Sequence, residues 1–112
     1  MPFIHIRTSV KLTEEQKTEL KDGIFDTISI IRGKTADMLM LHIEDGCEMY
    51  YRGRKEAALI DTMVAGRADI EDFKTHGRTV TKLFSDITGM PQDGVYIKYG
   101  EMPYCGVGGE LK

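Results

Sequence analysis

Tryptophan is absent from this sequence, and cysteine (two residues) and proline (three) are scarce. Cys47 and Cys105 stand far apart, with no CxxC, no CxxCH and no histidine-rich neighbourhood. That argues against a disulfide framework or a structural zinc site and for free thiols, as in a reducing cytosol. Neither sign of charge dominates: 15 Lys and Arg against 18 Asp and Glu leave a net charge of −3, with both signs interleaved. Such a chain has no electrostatic footprint for nucleic acid and no polybasic patch for a membrane surface. No segment approaches the roughly 18 consecutive apolar residues of a membrane span. The opening stretch from Met1 to Arg7 also lacks a basic region followed by an apolar core of about 7–15 residues, so no signal peptide is read there. A soluble, cytoplasmic protein is expected, with release by a route that needs no signal peptide left open.

What the chain does hold is an ordinary globular composition, 41% hydrophobic and 29% charged over 112 residues. One domain spanning 1–112 is expected, with a modest core. Phe3 to Thr8 is β-prone, with Ile4 and Ile6 on one side. Thr13-Glu14-Glu15-Gln16 reads as a capping box, and Leu20, Ile24, Ile28 and Ile31 follow as a helical stripe that Gly33 closes. Met38 to Ile43 is a dense apolar run expected to form a mostly buried strand. A second unit repeats the plan. Ala57 to Ala65 is a strand, and Ile70, Phe73, Val80, Leu83, Phe84 and Ile87 mark a helix that Gly89 and Pro91 stop. Gly77 falls on the apolar face of that helix, where a missing side chain lets it approach the sheet. Val95 to Tyr99 alternates as the last long strand, with Tyr96 and Lys98 facing away from Val95, Ile97 and Tyr99. The glycine-rich end, Cys105 to Gly109, suits a short edge strand or hairpin.

Two β-α-β units of this kind make an α/β fold, a four-stranded sheet with two helices on one face. The other face carries apolar residues from several strands and calls for cover, which oligomerisation would supply.

Pro2 is the first residue with chemistry to offer. Initiator methionine is normally removed before a small residue such as proline, leaving a secondary amine. An unperturbed α-amino group titrates at roughly 7.7–8, and burial or neighbouring cations lower that value. An amine so tuned is a competent general base near neutral pH. If Met1 stays, the Pro2 nitrogen is a tertiary amide with no basicity. Other candidates have plain structural readings. Lys34 after Gly33 suits a helix dipole without any substrate, and Tyr96 with Lys98 makes a polar cross-strand face. His5 and His42 read as satisfied strand histidines, Cys105 as a small edge residue, and Met38, Met40 and Met63 as packing residues.

Taken in order, Pro2-Phe3-Ile4 opening a strand, Gly33-Lys34, Ala58-Leu59 leading to Ala65-Gly66-Arg67, Val95 to Tyr99, Met102 and Gly106-Val107-Gly108 resemble the macrophage migration inhibitory factor branch of the tautomerase superfamily. The resemblance covers nearly the whole chain. It implies a homotrimer whose sheets form a central barrel, with active sites at subunit boundaries. The family's base, its amino-terminal proline, falls on Pro2, and its substrate-carboxylate lysine on Lys34. Its pocket tyrosine, contributed by the neighbouring subunit, falls on Tyr96. Its pocket-lining isoleucine is replaced by Ala65, and its asparagine near the substrate by Lys98. The CxxC of mammalian members is missing, since Ala57-Ala58-Leu59-Ile60 stands there, so no thiol-oxidoreductase role is carried over. The family's aromatic residue after the Val-Gly step is Gly109, which thins one wall of the pocket.

The resemblance therefore implies keto–enol tautomerisation of a small α-keto acid such as phenylpyruvate, with no metal or organic cofactor, because the amine itself moves the proton. Lys98 beside Tyr96 would add a second cation to that of Lys34 and favour keto acids with a second acidic group; snorkelling of Lys98 to solvent is the plain alternative. The competing function is a non-catalytic, cytokine-like protein that keeps the fold and binds a protein receptor. Decarboxylation or dehalogenation, the superfamily's other proline chemistries, lack confident partner residues here.

Overall fold

The computed structural model describes residues 1–111. Its sheet is built from β1 (Pro2–Thr8), β2 (Met40–Glu44), β3 (Ala58–Ala65) and β4 (Val95–Met102) in the order β2-β1-β3-β4. β1 runs parallel to β2 and antiparallel to β3, and β3 runs parallel to β4. Each parallel pair is bridged by a helix, α1 (Glu14–Thr27) or α2 (Ile70–Thr88), so the two β-α-β units expected from the sequence are both present. A terminal hairpin, β5 (Gly106–Val107) with β6 (Glu110–Leu111), closes the described chain. Among the described residues no helix is long and apolar enough to cross a membrane.

The core lies between the sheet and both helices. Alternate residues of β1 (Ile4, Ile6) and β3 (Ala58, Ile60, Val64) meet Leu20 and Ile24 of α1 and Val80 and Phe84 of α2, all buried. Full burial of each large apolar side chain contributes about 1.5–3 kcal/mol, which is what selects this register over a one-residue slip. α1 begins at a capping box in which Gln16 N–H donates to Thr13 Oγ1 at 3.1 Å and Thr13 N–H to Gln16 Oε1 at 2.9 Å. α2 ends at Gly89, in the left-handed region with φ 78°, its N–H bonded to Ser85 C=O. Gly77 allows the close approach of α2 to β4: a Cβ there would lie 2.6 Å from Ile97 Cδ1.

Two local expectations are corrected. α1 does not continue to Gly33. It stops at Thr27, tightens into a single 3-10 turn at Ile28–Ile30, and Ile31 is extended. Thr27 Oγ1 donates back to Gly23 C=O at 2.8 Å, as Thr18, Thr75 and Thr79 do inside helix that continues, and beyond it the chain is drawn to α2 by the pairs of Arg32 with Asp69 and Asp72. Lys34 is thus not at a helix C-terminus, and the helix-dipole reading of it falls.

The second correction concerns Met38 to Ile43. Met38 belongs to a 3-10 turn, the strand starts only at Met40, and Met40 is 65% exposed. The cause is topological: β2 is an edge strand, so only its helix-side residues Leu41 and Ile43 join the core. The open face is likewise less uniform than expected. Phe3, Met40, Met63 and Met102 sit at one end and Leu59 and Tyr96 towards the other. Between them the register sets His42, His5, Asp61 and Lys98 in one row across all four strands.

Candidate active site

β1 lies inside the sheet, so its first residue, Pro2, is buried opposite Val64 of β3. Met1 ahead of it is fixed by its carbonyl, which accepts from Ala65 N–H at 3.0 Å. Together they form the floor of a cleft of about 540 Å³, walled by Phe3, Met38, Met40, Met102, Cys105 and Val107 among others. Met38 and Met40 line this cleft rather than pack in the core. Cys105, taken from the sequence as merely small, is one of its walls.

Lys34 comes close to the amino terminus from the turn after α1, beside the cleft rather than in its lining. That turn is held by Arg32, whose Nε donates to Asp72 at 3.0 Å and whose Nη2 donates to Asp69, the N-cap of α2, at 2.9 Å. The guanidinium keeps the Asp72 carboxyl below its usual range. Lys34 N–H then bonds Ile31 C=O, Gly33 taking φ 82°, and Lys34 Nζ donates to Ala65 C=O at 2.8 Å. Pro2, Lys34 and Ala65 are therefore neighbours. The terminal amine of this cleft, carried here by Met1, is lowered from its ordinary value, first by burial and second by the Lys34 charge, with Cys105 opposing. An ammonium has three donors, so Lys34 keeps two for a ligand after Ala65 is served.

Tyr96 and Lys98 are elsewhere in the chain. Tyr96 is in register with Leu59 and Lys98 with Asp61. Pro2 is in register with Val64, five residues from Leu59 and three from Asp61 along β3, which at about 3.3 Å per residue is ~17 Å for Tyr96 and ~10 Å for Lys98. They line a second depression, of about 300 Å³, with Met49, Tyr50, Tyr51 and Leu59. There the Tyr51 and Tyr96 rings meet edge to face at 5.7 Å. Lys98 Nζ lies 3.3 Å from Asp61 Oδ2, so its charge already has a counterion. Sequence reasoning missed Asp61, because only the β3–β4 register brings positions 61 and 98 side by side. Nor did it find Cys105 and Val107 as cleft walls, which come from the fold-back of the terminal hairpin.

The chain belongs to the macrophage migration inhibitory factor (MIF) family, whose description matches residues 1–110. The fold is that of MIF2 from Leishmania major, with a TM-score of 0.92 at 21% identity, covering 100% of this chain and 97% of that one. It is also that of a fused 4-OT solved as a symmetric trimer, with a TM-score of 0.85 at 16% identity and coverage of 98% and 94%. A third, the protein Pt0534 inactivated by 2-oxo-3-pentynoate, has a TM-score of 0.80 at 18% identity and coverage of 96% and 93%. No curated protein matches the sequence.

Proposed function

We propose that the chain is a cofactor-independent keto–enol tautomerase of small α-keto acids such as phenylpyruvate, working through the Pro2 nitrogen after Met1 is removed. The observation that carries this is the setting of the chain's start: Pro2 is buried at a cleft, and the amine just ahead of it, that of Met1, is lowered from its ordinary value by partial burial and by the Lys34 charge. A neutral secondary amine there can take a proton from the carbon next to a carbonyl and return one to it, while the enol oxygen gains or loses the other. Removal of Met1 also frees Ala65 N–H, now bonded to the Met1 carbonyl. That donor and Lys34 Nζ would hold the substrate carboxylate. Inactivation of a structural neighbour by a 2-oxo acid supports this substrate class.

Tyr96 enters the reading through a neighbouring subunit, in a homotrimer like that of the fused 4-OT, and Lys98 with it. Because Asp61 offsets the Lys98 charge, the gain for a second acidic group is smaller than an unpaired lysine would give. The two free thiols, Cys47 and Cys105, suit the cytoplasm.

The test is an enol–keto assay on protein whose mass shows Met1 lost. Enol phenylpyruvate should ketonise, and Pro2→Ala, which keeps only a primary amine, should slow it roughly 10- to 100-fold. Protein retaining Met1 should be inactive. Demethionylated protein inert towards aromatic and aliphatic keto acids would overturn the reading in favour of an interaction protein on the same fold.

A further inference from the structure

Midway along the open face, β1 and β2 bring together four side chains that the catalytic reading does not use. His5 is in register with His42, and Arg7 with Glu44, so period-two alternation projects all four from the same face. The two imidazoles stack at 4.6 Å with planes 6° apart. Both Nε2 atoms approach one oxygen, Glu44 Oε1, at 3.0 Å from His5 and 3.6 Å from His42.

His5 Nε2 is in conflict with its neighbours. Arg7 Nε, which only donates, lies 3.3 Å away, and the Glu44 carboxylate, which only accepts, lies 3.0 Å away. A bare Nε2 serves Arg7 and repels Glu44; a protonated one does the reverse. A cation between nitrogen and carboxylate removes the conflict, because both then point lone pairs at it and Arg7 is free to leave. Arg7 is half exposed and can swing to solvent.

The dimensions agree. At zinc–ligand distances of about 2.0–2.1 Å, neighbouring ligand atoms of an octahedral or tetrahedral shell are roughly 2.9–3.4 Å apart. The 3.0 Å separation falls within that range and the 3.6 Å one lies just above it, and the three ligand atoms all lie within 4.8 Å of one another. Stacked rings hold their lone pairs in parallel planes, so the exposed His42 ring has to tilt off His5 to bring its Nε2 onto a shared ion.

We propose that His5, His42 and Glu44 bind one divalent transition cation of the zinc class, through two imidazole nitrogens and one carboxylate oxygen, with water completing the shell. The donor set suits zinc-class ions better than calcium or magnesium, which prefer all-oxygen shells. The bound ion ties the edge strand β2 to β1. It lies three residues along β1 from Pro2, roughly 10 Å, and does not depend on the tautomerase reading.

The experiment uses untagged protein stripped with a chelator and then titrated with Zn²⁺ against a chromophoric chelator, with Co²⁺ as a visible-absorption reporter. One ion per chain is expected, with a higher melting temperature in zinc. Loss of outer-shell partners alone costs about 10–100-fold in metal affinity, so His42→Ala and Glu44→Gln should each weaken binding by at least that much. Arg7→Gln removes a positive charge beside the site; a divalent ion about 4 Å from it feels twice the unit-charge repulsion, so binding should tighten by up to about 30-fold at the dielectric of water, and by less where Arg7 swings away. Circular dichroism of the metal-free variants separates lost binding from lost folding. Absence of zinc uptake at micromolar free metal, or uptake unchanged in both folded ligand variants, would overturn the proposal.

Discussion

His76 has no exposed surface, and its Nδ1 lies 2.5 Å from the Tyr99 hydroxyl, while Nε2 has no partner among the described residues. Burial pushes the imidazole down to about 4 and the Tyr99 hydroxyl up. The sign of the consequence follows from proton counting. Between about 6.5 and about 4 the unfolded chain binds a proton at this position that the folded chain does not, so stability falls as pH falls through that window. At 1.36 kcal/mol per pKa unit the loss reaches about 3 kcal/mol. It is fully restored above the ordinary histidine pKa. Urea unfolding at pH 7 and pH 4.5 should show this loss, and His76→Leu should flatten it. An equal slope in the variant would move the effect to other groups.

Among the elements, α2 shows how a single missing side chain sets a distance. The Cβ added by Gly77→Ala would meet Ile97 Cδ1, the free end of a side chain that is 39% exposed and can turn away. Alanine also gains about 1 kcal/mol of helix propensity over glycine, so the two effects should leave Gly77→Ala within about 1 kcal/mol of the parent. Gly77→Leu cannot be relieved by one rotamer, since the Tyr99 ring lies just beyond Ile97 at 3.6 Å. Overpacking of this kind costs about 1–3 kcal/mol. Denaturant midpoints distinguish the two variants, and a stable Gly77→Leu would mean that α2 does not need its close approach to β4. β2 is the opposite case. Its apolar run is dense enough for a buried strand, yet its place at the sheet edge leaves Met40 in the open.

At the scale of the molecule, one face of the sheet is packed under two helices and the other is bare. The bare face holds apolar side chains at both ends and a charged row between them. The β2 edge carries exposed Met40, and Tyr96 on β4 is half exposed. Covering such a surface is the driving force for assembly. Light scattering should give a trimer, roughly three times 12.6 kDa. A stable monomer at micromolar concentration would separate Tyr96 from the Pro2 cleft, because within one chain Tyr96 pairs with Leu59 near the start of β3 and Pro2 with Val64 near its end, with Lys98 midway.

The sequence by itself determined the two β-α-β units, the capping box at Thr13, the glycine stop at Gly89, the close approach at Gly77 and the family. Each of these rests on local signals: period, cap chemistry or a residue order legible along the chain. It also singled out Pro2, Lys34 and Ala65, which the fold brings together around the amino terminus. Only the tertiary structure decided that α1 ends at Thr27, because the turn that follows it is clamped by Arg32 to α2. It alone made β2 an edge and paired Lys98 with Asp61. It alone stacked His5 on His42 above Glu44 and put Cys105 beside the amino terminus. Those contacts join residues 37 or more positions apart, and strand order and register, which no local pattern encodes, bring them within reach.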